Sequence, residues 1–309
     1  MIMKEDRHFN IQQLNVDFGI KDQVKFVEGR GGLPFIQITT EKATAVISIY
    51  AGQVLSFRPN KESEDVMFIS DNAFFQEGKA IKGGIPICWP WFGGAPIKPE
   101  NPSHGFVRND FWTVSAVDVL KNGDVRVQLE FFDSDKTREM WPYQFHLSLD
   151  ITIGDSLTLD LVTQNRGEQV FTITEALHAY FKVGDAAQVQ VLGLEKTEYL
   201  DKAEDFIKVC QVGAVILEQE TDHIHINVGH DLTILDPVLK RKIQILSSGN
   251  KNVVVWNPGA KGAEKMQDLT GEDYKRFICV EIANAASNKV TIQPDCKYRM
   301  VTNYQVVRD

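Results

Sequence analysis

Glu281 lies in Phe277-Ile-Cys-Val-Glu-Ile-Ala283, a run apolar at both parities, which predicts a central strand buried on both faces. A lone carboxylate there is costly unless paired, and desolvation pushes its pKa upward. Two readings stand side by side: a structural ion pair, for instance with an arginine on a neighbouring strand, and a general base whose use explains its retention. His178 occupies Thr172-Ile-Thr-Glu-Ala-Leu-His-Ala-Tyr-Phe-Lys-Val183. Strand parity places Thr172, Thr174, His178, Tyr180 and Lys182 on one polar-aromatic face and Ile173, Leu177, Ala179, Phe181 and Val183 on the other. That face suits either a groove carrying an acid–base histidine or a solvated surface.

Cations gather in residues 81–108, IKGGIPICWPWFGGAPIKPENPSHGFVR. This span holds Pro86, Pro90, Pro96, Pro99 and Pro102, with four glycines before His104. Proline fixes φ and glycine permits φ > 0, so a long, stiff, shaped loop is expected. Loops of this length are usually functional or disordered, and Trp89 and Trp91 argue against disorder. Lys82, His104 and Arg108, set among indole faces, suggest a wall for a polar, anionic, sugar-like ligand. Arg108 and Lys82 could clamp a phosphate, one as a fork and the other as a point charge. They could equally be surface cations of a loop.

Asp222 precedes His223-Ile-His-Ile-Asn-Val228. Alternation puts Asp222 with Ile224 and Ile226 facing inward and His223 and His225 outward. The outward pair with His230 invites a metal reading, but the glutamate a cupin-like site would add is missing, and solvated histidines are expected. No metal and no cofactor are expected. GxxxxGK[ST], a post-strand GxGxxG and GxSxG are all absent. Cys88 and Cys279 read as small buried residues.

The elements that must position these groups are strands. Val125-Arg-Val-Gln-Leu-Glu-Phe131 and Phe145-His-Leu-Ser-Leu-Asp-Ile-Thr-Ile153 alternate cleanly, and turn signals such as Lys121-Asn-Gly-Asp124 punctuate the runs. An antiparallel all-β architecture follows. Helical periodicity is scarce, with short helices expected at most near 203–209 and 268–275. One β-sandwich domain is expected over residues 1–309, with about the first twenty as a lead-in arm or strand.

The chain has 309 residues, 33 basic and 42 acidic, for a net charge of −9. That balance argues against a nucleic-acid or anionic-membrane partner, both of which favour a basic face. No secretory h-region and no apolar run of membrane-spanning length is visible. Four scattered cysteines without CxxC suit a reduced compartment. A cytoplasmic monomer is expected.

Lys82-Gly-Gly-Ile-Pro-Ile-Cys-Trp-Pro-Trp-Phe-Gly93, His104-Gly-Phe-Val-Arg108, Thr174-Glu-Ala-Leu-His-Ala-Tyr-Phe181, Val255-Trp-Asn-Pro258 and Cys279-Val-Glu281 occur in order along the chain. Together they resemble the glucose-6-phosphate 1-epimerase (hexose-6-phosphate mutarotase) family, within the aldose 1-epimerase group, from about residue 30 to residue 300. The resemblance implies a galactose-mutarotase-like β-supersandwich that interconverts sugar-phosphate anomers without a cofactor. It implies His178 as general acid, Glu281 as general base, Arg108 as a phosphate contact and Asp222 as a contact to sugar hydroxyls. Lys82 and His104 are expected to help hold the substrate, a small sugar phosphate. The position of Lys82 is commonly arginine in that family; lysine keeps the charge and loses the fork. Alternatives are an epimerase of unphosphorylated aldoses and a non-catalytic sugar-phosphate-binding regulator. For the acid–base pair, a coupled titration is expected, with Glu281 raised by burial and His178 raised by a neighbouring carboxylate.

Overall fold

The computed structural model describes residues 9–308. The cleanest alternating runs become the longest one-sided strands. Phe145–Ile153 and Ser156–Asn165 bury every second side chain and pair from Phe145↔Asn165 to Ile153↔Leu157. They belong to a nine-stranded sheet that continues through Lys297–Val307 and Arg241–Ser248 to three shorter strands on one side and through Val125–Phe132 to the edge strand Thr113–Val119 on the other.

A second, eight-stranded sheet carries the candidate chemistry. Its order is Ile207–Cys210, Glu198–Asp201, Thr221–Ile226, Asn252–Asn257, Phe277–Asn284, Glu175–Leu177 and Ile87–Cys88, and Tyr180–Lys182 also pairs with Phe277–Asn284. All these ladders are antiparallel. Phe277–Asn284 is buried along its whole length, as its apolar run at both parities requires. Leu149, Leu159 and Ile245 of the first sheet share one hydrophobic cluster with Val253, Val255, Val280 and Ile282 of the second. Each sheet therefore hides an apolar face against the other, the arrangement of a β-sandwich. Ile36, Ile38, Ala45 and Ile47, from a four-stranded antiparallel sheet spanning Val24–Glu28 to Gln53–Pro59, join the same cluster.

Three expectations change. The lead-in is neither arm nor strand over 11–18 but a helix, Ile11–Phe18, whose N-cap Asn10 accepts a hydrogen bond from Gln13 N. Ile11, Leu14 and Phe18 pack on the core at the spacing of one helical face; residues 1–8 of the expected lead-in lie outside the described residues. Residues 203–209 form no helix: they are the turn and return strand of a hairpin pairing Glu198–Asp201 with Ile207–Cys210. The turn uses positive φ at both Asp205 and Phe206, which a propensity reading does not anticipate. Near 268–275 only a single 3₁₀ turn, Asp273–Lys275, is formed.

Glu175 is a second buried carboxyl, set opposite Asn284 in the ladder and accepting a 3.2 Å hydrogen bond from its side-chain amide. Burial pushes it up to about 7 from 4.5. Because the folded value lies above the unfolded one, the acid's favourable contribution is complete below pH 4.5 and is lost as pH rises through about 7. Between those limits wild type should lose roughly 2–3 kcal/mol of stability relative to Glu175→Gln. Urea unfolding of both proteins at pH 5 and pH 8 measures it; parallel changes would mean that Glu175 is already ionised in the fold.

Candidate active site

Strand register assembles the site. Leu177 pairs with Ile282 and Tyr180 with Cys279, and the same offset carried through the break between the two short strands sets His178 opposite Glu281. The contact is made: His178 Nε2 lies 3.3 Å from Glu281 Oε1. At the break the His178 N–H donates to Pro86 O at 2.9 Å, so the loop anchors the histidine backbone. Along the same face Glu281 opposes Val254, Cys279 opposes Trp256, and Trp256 in turn opposes Asp222. Cys88, Ala176, Ile224, Val254 and Ala283 form an apolar floor beside this row.

Burial sets the protonation of the pair. Glu281 is 1% exposed and His178 7%. Desolvation, with Asp222 adding to it, holds the Glu281 carboxyl well above the usual carboxylate range. Desolvation, reinforced by His104, Arg108 and Lys82, holds His178 well below the usual histidine range. The expected rise at His178 is thus reversed: lost hydration dominates, and His104 and the nearby cations add to it. Both shifts favour the uncharged forms, a protonated Glu281 beside a neutral His178. His178 Nδ1 and Glu281 Oε2 are buried and find no hydrogen-bond partner among the described residues. No arginine on a neighbouring strand pairs with Glu281 among the described residues; its contact is the histidine.

The loop supplies the cations. Gly83 and Gly84 have φ of 119° and 60°, and a Cβ at either would sit 2.2–2.3 Å from a backbone oxygen of Phe68 or Val54. Only glycine lets the chain pass so close, and Lys82 is held just before it. Its ammonium pairs with Asp268 at 3.4 Å and lies 5.8 Å from the Trp256 ring centre. His104 adopts φ 59°, a strained backbone for a non-glycine residue. Its N–H donates to Gly93 O at 2.6 Å, while Nδ1 accepts from Gly93 N at 3.4 Å. With Nδ1 accepting, the neutral ring presents Nε2–H as a donor. The His104 ring is edge-on to His178, 5.9 Å away, and burial with Arg108, Lys202 and Lys82 nearby pushes it down to about 3. Arg108 donates through Nη2 to Ser103 O at 3.0 Å, and its Nε is buried without a partner among the described residues.

Asp222 shares a face with Ile224 as its parity requires, but that face is the site, not the core. The inter-sheet core lies behind the histidines instead: His225 is fully buried, its Nδ1 2.8 Å from the Thr197 hydroxyl. His223 pairs with Asp201 at 3.4 Å and stacks on Tyr199. The expectation of solvated histidines therefore fails for His223 and His225, whereas His230 is exposed. A strand covered on both faces makes the aliphatic parity a poor guide to which side is the interior. Among the described residues no three His, Cys, Asp or Glu side chains are arranged to hold a metal ion.

The indoles expected to face the ligand do not. Trp89 is fully buried, donating to the Thr163 hydroxyl at 3.1 Å and packed on Trp141 and Phe145. Trp91 is also buried and donates to Pro102 O. The aromatic wall of the site is Trp256 with Tyr180, which stacks on His178 at 4.9 Å. Proline-rich loop composition drew attention to the wrong tryptophans; the lone aromatic in Val253-Val-Val-Trp256 was the available signal. Lys202 and Asp268 left no such signal. Lys202 reaches Asp222 from the hairpin turn, Nζ to Oδ2 at 2.8 Å.

Comparison with known proteins places these features in a wider set. The family model described as aldose 1-epimerase matches residues 34–305. A protein of Escherichia coli (strain K12) named "Putative glucose-6-phosphate 1-epimerase" is 36% identical over 261 residues, 84% of this chain and 86% of that protein. The crystal structure of "a putative mutarotase (YeaD)" from Salmonella typhimurium superposes with a TM-score of 0.87 at 31% identity, covering 94% of this chain and 96% of that one. A "galactose mutarotase-like protein" from Clostridium acetobutylicum shares the fold, with a TM-score of 0.73 at 14% identity over 93% of this chain and 98% of its own.

Proposed function

Since this chain belongs to the aldose 1-epimerase family, its match running over residues 34–305, we propose that it interconverts the α and β anomers of a hexose 6-phosphate, glucose 6-phosphate foremost. The observation that carries this reading is the buried His178–Glu281 contact at 3.3 Å, two proton-transfer groups side by side next to a cluster of cations. The relatives' names support the phosphorylated substrate, and so does the cationic field that Arg108, Lys202 and Lys82 together exert on His104.

Ring opening removes the proton on O1 and delivers one to the ring oxygen. Glu281 as carboxylate takes the first and His178 as imidazolium gives the second. The bond from C1 to the ring oxygen breaks, leaving an aldehyde at C1 and a hydroxyl on the former ring oxygen. Rotation about C1–C2 and reversal of the same two transfers closes the other anomer. The pair's proton count is unchanged throughout. A single proton shift across the 3.3 Å contact converts the neutral arrangement that burial favours into the working one. Asp222 accepts from sugar hydroxyls, Trp256 and Tyr180 cover the sugar's apolar face, and Lys82, His104 and Arg108 hold the phosphate. The chemistry asks for no cofactor in this reading. The hydrophobic cluster common to all three large sheets supports one domain, and the four free cysteines support a reduced, cytoplasmic setting. A monomer suffices, because every group invoked comes from one chain. Among the described residues no helix is long and apolar enough to cross a membrane.

The test is anomer exchange measured by NMR saturation transfer with glucose 6-phosphate and free glucose in parallel. Exchange accelerated with both sugars, and far more with the phosphate, is expected; acceleration of free glucose alone would reassign the protein to unphosphorylated aldoses, and none with either would leave only a binding role. The pH profile of kcat/KM on free glucose has a definite shape. Gain of a second proton at His178 sets the acidic limb well below 6.5, and loss of the shared proton sets the basic limb well above 4.5. Since the pair titrates as a unit, the profile should be bell-shaped with its acidic limb below the ordinary histidine value. An acidic limb centred at 6.5 or above would assign the rate to an ordinary solvated histidine.

A further inference from the structure

Lys202 stands apart from the other cations of the site. Lys82 and Arg108 come from the rigid loop, whereas Lys202 opens the turn that follows Glu198–Asp201, at the edge of the eight-stranded sheet. Its backbone N–H donates to Asp222 O at 2.9 Å, which pins the main chain beside the site. The side chain beyond that anchor is 37% exposed, and its ammonium rests on Asp222 Oδ2 at 2.8 Å. Asp222 itself is only 17% exposed and faces Glu281. The fields of Arg108, Lys202 and Lys82 all lower the basicity of His104, so the three cations act on one ring although they arrive from different elements. The turn after Lys202 carries consecutive positive φ at Asp205 and Phe206, a strained segment of the kind found at clamps.

We propose that Lys202 is a specificity-determining residue that exchanges Asp222 for the substrate phosphate, and that this exchange uncovers Asp222 for the sugar hydroxyls. The inference rests on the hexose-phosphate reading above. A partly exposed ion pair in water is worth little, and a phosphate near neutral pH carries close to two negative charges against the single one of Asp222. A flexible lysine with a pinned backbone can transfer from one to the other without moving the sheet. An unphosphorylated sugar offers nothing to draw the ammonium away and must compete with it for Asp222. The pair thereby links recognition at one end of the substrate to recognition at the other.

Lys202→Met keeps the stem and removes the charge. It should lower the ratio of kcat/KM for glucose 6-phosphate to that for glucose by about tenfold or more, chiefly through KM, the size of one lost charge-assisted contact. Lys202→Arg should restore most of the ratio. Direct binding of inorganic phosphate, followed by calorimetry, supplies changes of opposite sign: weaker in Lys202→Met, tighter in Asp222→Asn where the competing carboxylate is gone, and without that gain in the double variant. Thermal melts would check that each variant is folded. An equal loss with both sugars in Lys202→Met, or phosphate binding that Asp222→Asn leaves unchanged, would overturn the exchange and reduce Lys202 to a support for Asp222. A wild-type protein that shows no preference for glucose 6-phosphate would instead remove the phosphate reading on which the exchange depends.

Discussion

His178→Ala and Glu281→Gln should each abolish most of the catalysed anomer exchange. A positioned proton transfer typically contributes ~10²–10⁴-fold, and in this site neither transfer has an evident substitute. His104 is the nearest other imidazole, but burial and three cations hold it neutral down to about pH 3, so it makes a poor proton donor. Glu281→Gln preserves shape and the contact to His178 Nε2 while removing the ability to take a proton. His178→Ala removes the group that delivers a proton to the ring oxygen. The double variant should be little worse than either single one, because two groups sharing one proton act as a unit. Saturation-transfer rates for the three variants, alongside substrate binding by calorimetry, measure both claims. Exchange within a few-fold of wild type in either single variant would remove the mechanism. Losses that multiply in the double variant would show two independent groups.

Arg108→Ala should cut the preference for glucose 6-phosphate over glucose more deeply than Lys82→Ala. Each removes a charge-assisted contact worth ~1.5–3 kcal/mol. The difference between them comes from their present partners. Lys82 already has Asp268 at 3.4 Å, so part of its charge is engaged, whereas Arg108 contacts a carbonyl oxygen through Nη2 and keeps an unpartnered, buried Nε. Loss of the arginine also releases the field it exerts on both His178 and Glu281, which should shift the pH limbs as well as KM. Lys82→Arg should retain the preference, since it keeps the charge and adds a fork. Competition assays with both sugars give the ratios. A fall shared equally by the two sugars in both alanine variants would place the phosphate elsewhere.

Much of this protein can be read locally. Alternation in Phe145–Ile153 and Ser156–Asn165 announces one-sided antiparallel strands, because a pleat with one wet face demands that period. The run around Glu281 announces a strand covered on both sides. Residue types alone nominated a costly buried carboxylate and a cationic loop, and the resemblance to a known family, not the residues by themselves, implied the acid–base pairing. Helix Ile11–Phe18 was legible too, in the spacing of Ile11, Leu14 and Phe18 and in an asparagine cap, but it is short enough to be overlooked beside so many strands.

What the chain could not disclose is register and side. His178 and Glu281 are about a hundred positions apart, and their contact depends on how Glu175–Leu177 and Tyr180–Lys182 are offset against Phe277–Asn284. Non-local packing sets that offset. The aliphatic parity of Thr221–Ile226 looked like a core face, yet the core lies behind His225. In a strand buried on both faces, hydrophobicity no longer distinguishes interior from site. Trp89 and Trp91 were assigned to the ligand wall by loop composition, whereas the fold turned them inward and brought Trp256 forward from another strand. Lys202 had no local mark at all; only the pairing of its hairpin with Thr221–Ile226 carries its ammonium to Asp222. Composition and periodicity thus determine which groups exist and what kind of sheet bears them, because both follow from short-range solvation of the chain. Which groups meet is decided by tertiary structure, because it depends on the alignment of strands distant in sequence and on which of two buried faces is left open.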